Sequence, residues 1–282
     1  MSVQDTVFSQ KIEPLFIGQT TSLVMGILNI TPDSFFDGGK YNTEEEWLSR
    51  VSKMISEGAD IIDIGACSTR PGAIIISEQE ETERLIPVIK SVRKHFPGTL
   101  ISADTFRASI AEKAVNAGAT IINDISGGTM DTEMFPAIAR LQVPYVLMHM
   151  QGTPQTMQEN PQYGNVTEEV LSFFNDRIGK LKALGFEKII LDPGFGFGKR
   201  LEHNYQLLRD LEKFQSFNYP ILVGFSRKSM INKILNTKPE NALNGTTILN
   251  TIALEKGATI LRVHDVKEAK EVIKIWEYLK EF

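Results

Sequence analysis

The chain has 282 residues, 42% of them hydrophobic, with 30 Lys and Arg against 35 Asp and Glu and a net charge of -5. That length without a Ser/Gly-rich linker predicts one domain of barrel size, and the negative balance excludes broad nucleic-acid binding, so an anionic substrate must meet a local basic cluster. No stretch approaches the roughly 20 apolar residues of a membrane span, residues 1–22 carry Asp5, Lys11 and Glu13 rather than an apolar leader, and the single Cys67 allows neither an internal disulfide nor a zinc spacing, so a cytoplasmic protein is expected.

Residues 1–22 are expected to form a short N-terminal extension and 23–282 the domain. The first strong element is the apolar run from Leu23, which shows no helical stripe and ends where Pro32 disfavours helix at Thr31, so it reads as a buried strand delivering Asn29 to its C-terminal end. The loop that follows, Thr31 to Gly39, holds Phe35 and Phe36 side by side: either a lid over an aromatic ligand or a hairpin tip with two core-seeking rings.

Further strands are predicted at 60–65, 99–104, 120–124, 144–149, 188–192, 220–225 and 259–264, and helices near 43–57, 78–95, 106–117, 131–140, 166–184, 201–213, 228–256 with a break around Pro239, and 267–280. Thr43 with Glu46, Ser77 with Glu80 and Asp265 with Glu268 fit the capping box at a helix start. Gly58-Ala59, Gly118-Ala119 and Gly257-Ala258 each close a helix and open a strand, which makes an internal repeat. Aligned on those glycines, Asp63, Asn123 and Arg262 fall at the same strand phase and should share a face. Eight strand-helix units in succession predict a parallel (β/α)8 TIM barrel, with a doubly wound α/β sheet as the alternative.

In a barrel the working residues gather at the C-terminal strand ends. Those ends carry Asn29, Asp63, Asp104, Asn123 with Asp124, His149, Asp192, Ser226-Arg227-Lys228, and Arg262 with His264. Helix capping would account for Asp and Asn there, but not for Lys228, Arg262 and His264, cations that the start of a helix disfavours unless an anion is bound. They predict a phosphate or diphosphate site. Asp104, Asn123 and Asp192 would be costly to bury alone; a ligand edge rich in N–H donors, such as a 2-amino-pyrimidinone, would satisfy them, and salt bridges to Lys228 or Arg262 are the alternative. Gly194-Phe195-Gly196-Phe197-Gly198-Lys199 matches neither dinucleotide nor Walker spacing. Its glycines instead suit close approach to a flat ligand with Phe197 against it, and Met148 on the fifth strand could floor the same ring or simply pack the core.

Five motifs in order, Gly26 to Gly39, Ser68-Thr69-Arg70-Pro71-Gly72, Leu191-Asp192-Pro193-Gly194, Ser226-Arg227-Lys228-Ser229 and Arg262-Val263-His264-Asp265, closely resemble the dihydropteroate synthase family, from about Leu23 to the C-terminus. The resemblance implies a transferase of folate biosynthesis that joins a dihydropterin methyl diphosphate to p-aminobenzoate, and a sulfonamide target. It implies a pterin site of Asp104, Asn123, Asp192, Lys228, Met148, Phe197 and Gly224, a diphosphate site of Asn29, Thr69, Arg262 and His264, and magnesium held at Asn29. Phe35, Arg70, Pro71 and Ser229 would complete the aminobenzoate pocket, with Asp104, Lys228, Arg262 and His264 as the catalytic groups. A homodimer through the later helices is implied as well. One departure stands out, because the family usually has Gly-Glu where this chain has Ala66-Cys67. A methyltetrahydrofolate-type methyltransferase barrel and a non-catalytic pterin binder are the rivals, and neither would release diphosphate.

Overall fold

A computed structural model describes residues 10–17, 22–30, 43–68, 72 and 74–282. All eight expected strands form, most a little shorter than their apolar runs: β1 Leu23–Asn29, β2 Ile61–Gly65, β3 Leu100–Asp104, β4 Ile121–Asp124, β5 Tyr145–Met148, β6 Ile189–Asp192, β7 Leu222–Val223 and β8 Ile260–Val263. They pair in the order β6-β5-β4-β3-β2-β1-β8-β7, with parallel registers throughout. A parallel bridge from Leu191 to Ile221 then joins β6 to β7 and closes the ring. Closure rules out the doubly wound sheet, which keeps two open edges. Among the described residues no helix is long and apolar enough to cross a membrane.

Ahead of the barrel lies a short helix, α1 Glu13–Phe16, and the outer ring is built from α2 Glu44–Ser56, α3 Glu78–His95, α4 Ala108–Ala117, α5 Met134–Leu141, α6 Val166–Ala183, α7 Leu201–Arg209, α8 Ser229–Leu235, α9 Leu243–Glu255 and α10 Val266–Leu279. The break expected near Pro239 is a short 3-10 turn, Pro239–Asn241, and the expected 201–213 helix stops at Arg209 before a second one, Leu211–Phe217. At α2 the capping box is complete: the Thr43 hydroxyl accepts from the Glu46 amide, and Glu46 Oε2 accepts from the Thr43 amide at 3.0 Å. At α3 only the Ser77 half forms, at 3.1 Å. The box expected at Asp265 does not form, because its carboxylate takes two hydrogen bonds from Arg227, at 3.1 and 2.5 Å. A guanidinium fork outcompetes a single backbone amide for the same oxygens.

The glycine repeat is one structural device used again and again. Ala59, Ala119 and Ala258 each donate back to the carbonyl five residues earlier, Met54, Ala114 and Ala253, at 2.9 Å in all three. That bond requires the preceding glycine to be left-handed, which Gly58, Gly118 and Gly257 are. Phe186 after Gly185 makes the same bond to Leu181 at 3.0 Å, a fourth copy that a search for Gly-Ala pairs does not find.

Strand alternation divides the barrel interior by height. Leu23, Met25, Ile61, Leu100, Ile121, Val146, Ile190, Leu222 and Ile260 fill the lower part, toward the strand N-termini. Ile12 and Leu15, from the segment ahead of the barrel, bury in this same cluster, and each such side chain is worth about 1.5–3 kcal/mol when fully buried. One or two pleats further along, the same faces carry Asn29, Asp63, Asp104, Asn123, Met148, Asp192, Gly224 and Arg262. The interior is therefore an apolar plug beneath a polar mouth.

Candidate active site

Four strands meet at one buried ion-pair network in that mouth. Arg262 Nε donates to Asp63 Oδ2 at 2.7 Å, and Arg262 Nη2 reaches Asp104 Oδ2 at 3.0 Å. Asn123 Nδ2 lies 3.1 and 3.3 Å from the two Asp63 oxygens. Asp63 is wholly buried, so Asp63, Asn123 and Arg262 do share the face that the glycine repeat assigns them. Two carboxylates here share one guanidinium. Burial, then the neighbouring Asp63 charge, pushes Asp104 up to about 8, with Arg262 opposing. Burial alone would pull Arg262 down, but the Asp63 and Asp104 carboxylates hold it above its ordinary value. Asp63 is the residue that the strand-end reading listed without a role.

Asp192 and Lys228 continue the mouth beside this network, on the side of β6 and β7. Burial pushes Asp192 up, opposed by the Lys228 charge, and its Oδ1 accepts from the Gly194 amide at 2.8 Å. Lys228 is pulled down to about 8 by burial, with Asp192 opposing; its ammonium donates to the Phe195 carbonyl and sits 4.8 Å from the Phe197 ring centroid. Gly224 lies between the cations: a Cβ there would be 3.7 Å from Arg262 Cβ and 3.8 Å from Lys228 Nζ. Lys228 and Arg262 therefore line one rim. Met148, Met150, Met157, Phe106 and Ile125 make an apolar cluster at this end, with Phe197 packed on it.

Asn29 ends β1 on the Asp104 side of the mouth, with Gly65 against both: a Cβ there would stand 3.6 Å from Asn29 Oδ1 and 3.5 Å from Asp104 Oδ2, ordinary contact distances. His264 lies just beyond β8, its Nδ1 2.9 Å from Ser226 Oγ and its carbonyl held by Arg50 at 2.7 Å. Ser229 opens α8, exposed, in a cavity of about 380 Å³ that it shares with Gln158, Lys199, Arg200, Asn204 and Lys233. Phe35, Thr69, Arg70 and Pro71 lie outside the described residues.

Two polar strand ends serve the scaffold instead. Asp124 accepts from Tyr145 Oη at 2.6 Å, from both the Ser126 amide and hydroxyl at 2.7 Å, and from the Gly128 amide at 2.8 Å, which fixes the turn after β4. His149 points away from Met148, packs edge-on to Phe173 and meets Lys199, and burial pulls it well below its ordinary value. A cavity of about 510 Å³ at the opposite end, lined by Leu15, Pro220, Ile221 and Trp276 among others, contains none of these groups.

Among the described residues no three His, Cys, Asp or Glu side chains cluster as a metal site. Magnesium carried by a diphosphate needs only one or two protein oxygens beside the phosphate oxygens and water. The Asn29 amide oxygen, a hard donor at the mouth beside Asp104, fits that requirement.

A family model described as pterin binding enzyme matches residues 25–264. The chain is 47% identical over 256 residues to the dihydropteroate synthase of Escherichia coli (strain K12), covering 90% of each. It is similar to the Yersinia pestis dihydropteroate synthase solved with a sulfonamide drug, at a TM-score of 0.90 and 44% identity over 93% of this chain and 95% of that one. The Xanthomonas albilineans dihydropteroate synthase solved with 4-aminobenzoic acid matches at a TM-score of 0.86 and 38% identity, over 93% of this chain and 94% of that one.

Proposed function

The chain belongs to the dihydropteroate synthase family, and from that premise we propose how its residues divide the two substrates between them. It is a transferase of folate biosynthesis, condensing 6-hydroxymethyl-7,8-dihydropterin diphosphate with p-aminobenzoate to give 7,8-dihydropteroate and diphosphate. The observation that carries the assignment is the convergence of Asp104, Asn123, Asp192, Lys228 and Arg262 on one mouth.

Asp192, Asn123 and Asp104 present acceptors to the N–H edge of the pterin, and Lys228 donates to an acceptor atom of the ring. Phe197 and Met148 offer it apolar surface. Arg262 spends Nε and Nη2 on Asp63 and Asp104, which leaves the Nη1 edge for the diphosphate beside Asn29, His264 and Thr69. Phe35, Arg70, Pro71 and Ser229 are assigned to p-aminobenzoate. Magnesium, when bound at Asn29, would neutralise charge on the leaving diphosphate. The C–O bond to the pterin methylene breaks with both electrons leaving on the diphosphate, where Arg262 and His264 meet the developing charge. The cation left behind is delocalised into the ring and stabilised by the Asp104 carboxylate. The aryl amine then donates its lone pair to form the C–N bond, and the strongly acidic arylammonium that results gives its proton to water.

An assay of diphosphate release with both substrates separates this reading from the methyltransferase and the non-catalytic binder. In the same assay Asp192→Asn should raise the KM for the pterin diphosphate by about 100-fold or more, since a buried polar site punishes a lost partner; an unchanged KM would remove Asp192 from the pterin site. A second expectation follows from Asp104. Free protein holds a proton there below about 8, whereas N–H donors of a ligand require the carboxylate. Pterin affinity should therefore rise as pH climbs toward 8, and calorimetry in two buffers at pH 7 should register release of about one proton per ligand. Binding without proton release would contradict this.

We further propose a homodimer through α8 and α9. The support is an apolar face left on the outer surface, where Ile234, Ile248 and Ile252 are 59%, 48% and 38% exposed; light scattering that reads a monomer at micromolar concentration would end it. A cytoplasmic location is proposed on the unpaired Cys67, and cell fractionation checks it.

A further inference from the structure

The loop from Asp192 to Lys199 has neither helix nor strand to organise it, yet the carbonyls of residues 194 to 198 are all hydrogen-bonded by side chains. Lys199 Nζ serves Gly194 at 2.9 Å and Phe197 at 3.1 Å, Lys228 serves Phe195, Gln158 serves Gly196 at 3.0 Å, and Tyr163 serves Gly198 at 2.7 Å. Lys199 is the centre of this set. Only 3% exposed, it also lies 3.0 Å from His149 Nδ1 and 3.3 Å from the His149 carbonyl, and none of its hydrogen-bond partners is a carboxylate. A buried ammonium is retained in such a place only if the oxygens around it replace water.

We infer that Lys199 is a positioning residue for the pterin end of the reaction, setting the path of the 194–198 backbone and, through that backbone, the Asp192 carboxylate and the Lys228 ammonium. The inference rests on the pterin reading of those two groups. Each link is a single hydrogen bond. The Gly194 amide fixes Asp192 Oδ1 at 2.8 Å, and the Phe195 carbonyl fixes Lys228, whose ammonium lies against Phe197. The loop's own backbone does little to hold this path, since Gly194, Gly196 and Gly198 are left-handed and glycine moves readily to other conformations, so the side-chain hydrogen bonds must fix it. Burial pulls the Lys199 ammonium down to about 7, with the Asp192 charge opposing, as expected of a buried cation with no carboxylate among its hydrogen-bond partners.

The test is Lys199→Met, which keeps the length of the side chain and removes its donors. Expected is a rise of about tenfold or more in the KM for the pterin diphosphate, with the KM for p-aminobenzoate within about twofold and an unchanged circular dichroism spectrum. Lys199→Gln, which keeps two donors without the charge, should fall between Lys199→Met and wild type, and it stands in if the methionine variant does not fold. An unchanged pterin KM in a folded variant overturns the inference, as does an equal rise in both KM values or failure of both variants to fold. Asp192→Asn measured alongside separates the two levels. If it cripples pterin use while Lys199→Met is silent, this inference alone fails; if it is silent itself, the pterin reading fails and takes this one with it.

Discussion

Replacing Arg262 with alanine is expected to destabilise the protein by about 3–5 kcal/mol, because it removes the cation shared by two buried carboxylates rather than one exposed ion pair. Asp63 is wholly buried and Asp104 nearly so, and with Arg262 gone they face each other with only Asn123 as a donor. The pH dependence follows from the direction of the Asp104 shift. A carboxyl whose folded value is raised favours the folded state below its unfolded value and loses that advantage as pH rises through the folded value of about 8. Without Arg262 that folded value climbs further, so the Asp104 part of the deficit against wild type should stay level below about pH 7 and open as pH rises through about 8. Asp63→Asn added to Arg262→Ala should recover part of the loss. Denaturant titrations at several pH values would decide it, and a loss under about 1 kcal/mol across the range would mean that the guanidinium is not needed to hold the mouth together. Diphosphate release should slow in the same variant, but only a folded sample can report that.

The parts of this structure that are legible in sequence are those that depend on near neighbours. Strand runs and helix caps announce themselves locally, and the Gly-Ala pairs do so because one bond, from the alanine amide to a carbonyl five residues back, recurs in the same form. That recurrence even gives the shared phase of Asp63, Asn123 and Arg262, two of which are 199 residues apart in the chain. What is not legible is competition from a distant partner. Asp265 has the sequence of a capping box, but Arg227, 38 residues away, takes its carboxylate. Lys199 looks like a surface lysine ending a glycine loop, and only the approach of His149, 50 residues away, makes it a buried one. Ile12 and Leu15 read as part of an extension; their burial follows from the open lower end of a barrel, which no local pattern reveals.

Gly194→Ala should be the most damaging small substitution in the 194–198 loop, and its effect can be separated into two causes. At the left-handed φ of 72° any side chain costs about 1–2 kcal/mol. Here the new Cβ would also stand 1.9 Å from the His149 carbonyl oxygen, a backbone atom that cannot swing aside. Gly185 is the matched control: its φ of 73° is the same, and a Cβ there meets nothing within 4 Å. Gly185→Ala should therefore show the conformational cost alone and leave both KM values near wild type. Gly194→Ala must in addition move the loop off the end of β5, which breaks the Gly194–Asp192 hydrogen bond and displaces the Gly194 carbonyl held by Lys199 and the Phe195 carbonyl held by Lys228. A rise of about 100-fold in the pterin KM is expected, with a stability loss of about 2–4 kcal/mol against about 1–2 for the control. Equal stability losses in the two variants, with pterin KM unchanged, would mean that the loop can leave β5 without disturbing Asp192, and the geometry linking the glycine loop to the pterin groups would then carry no functional weight.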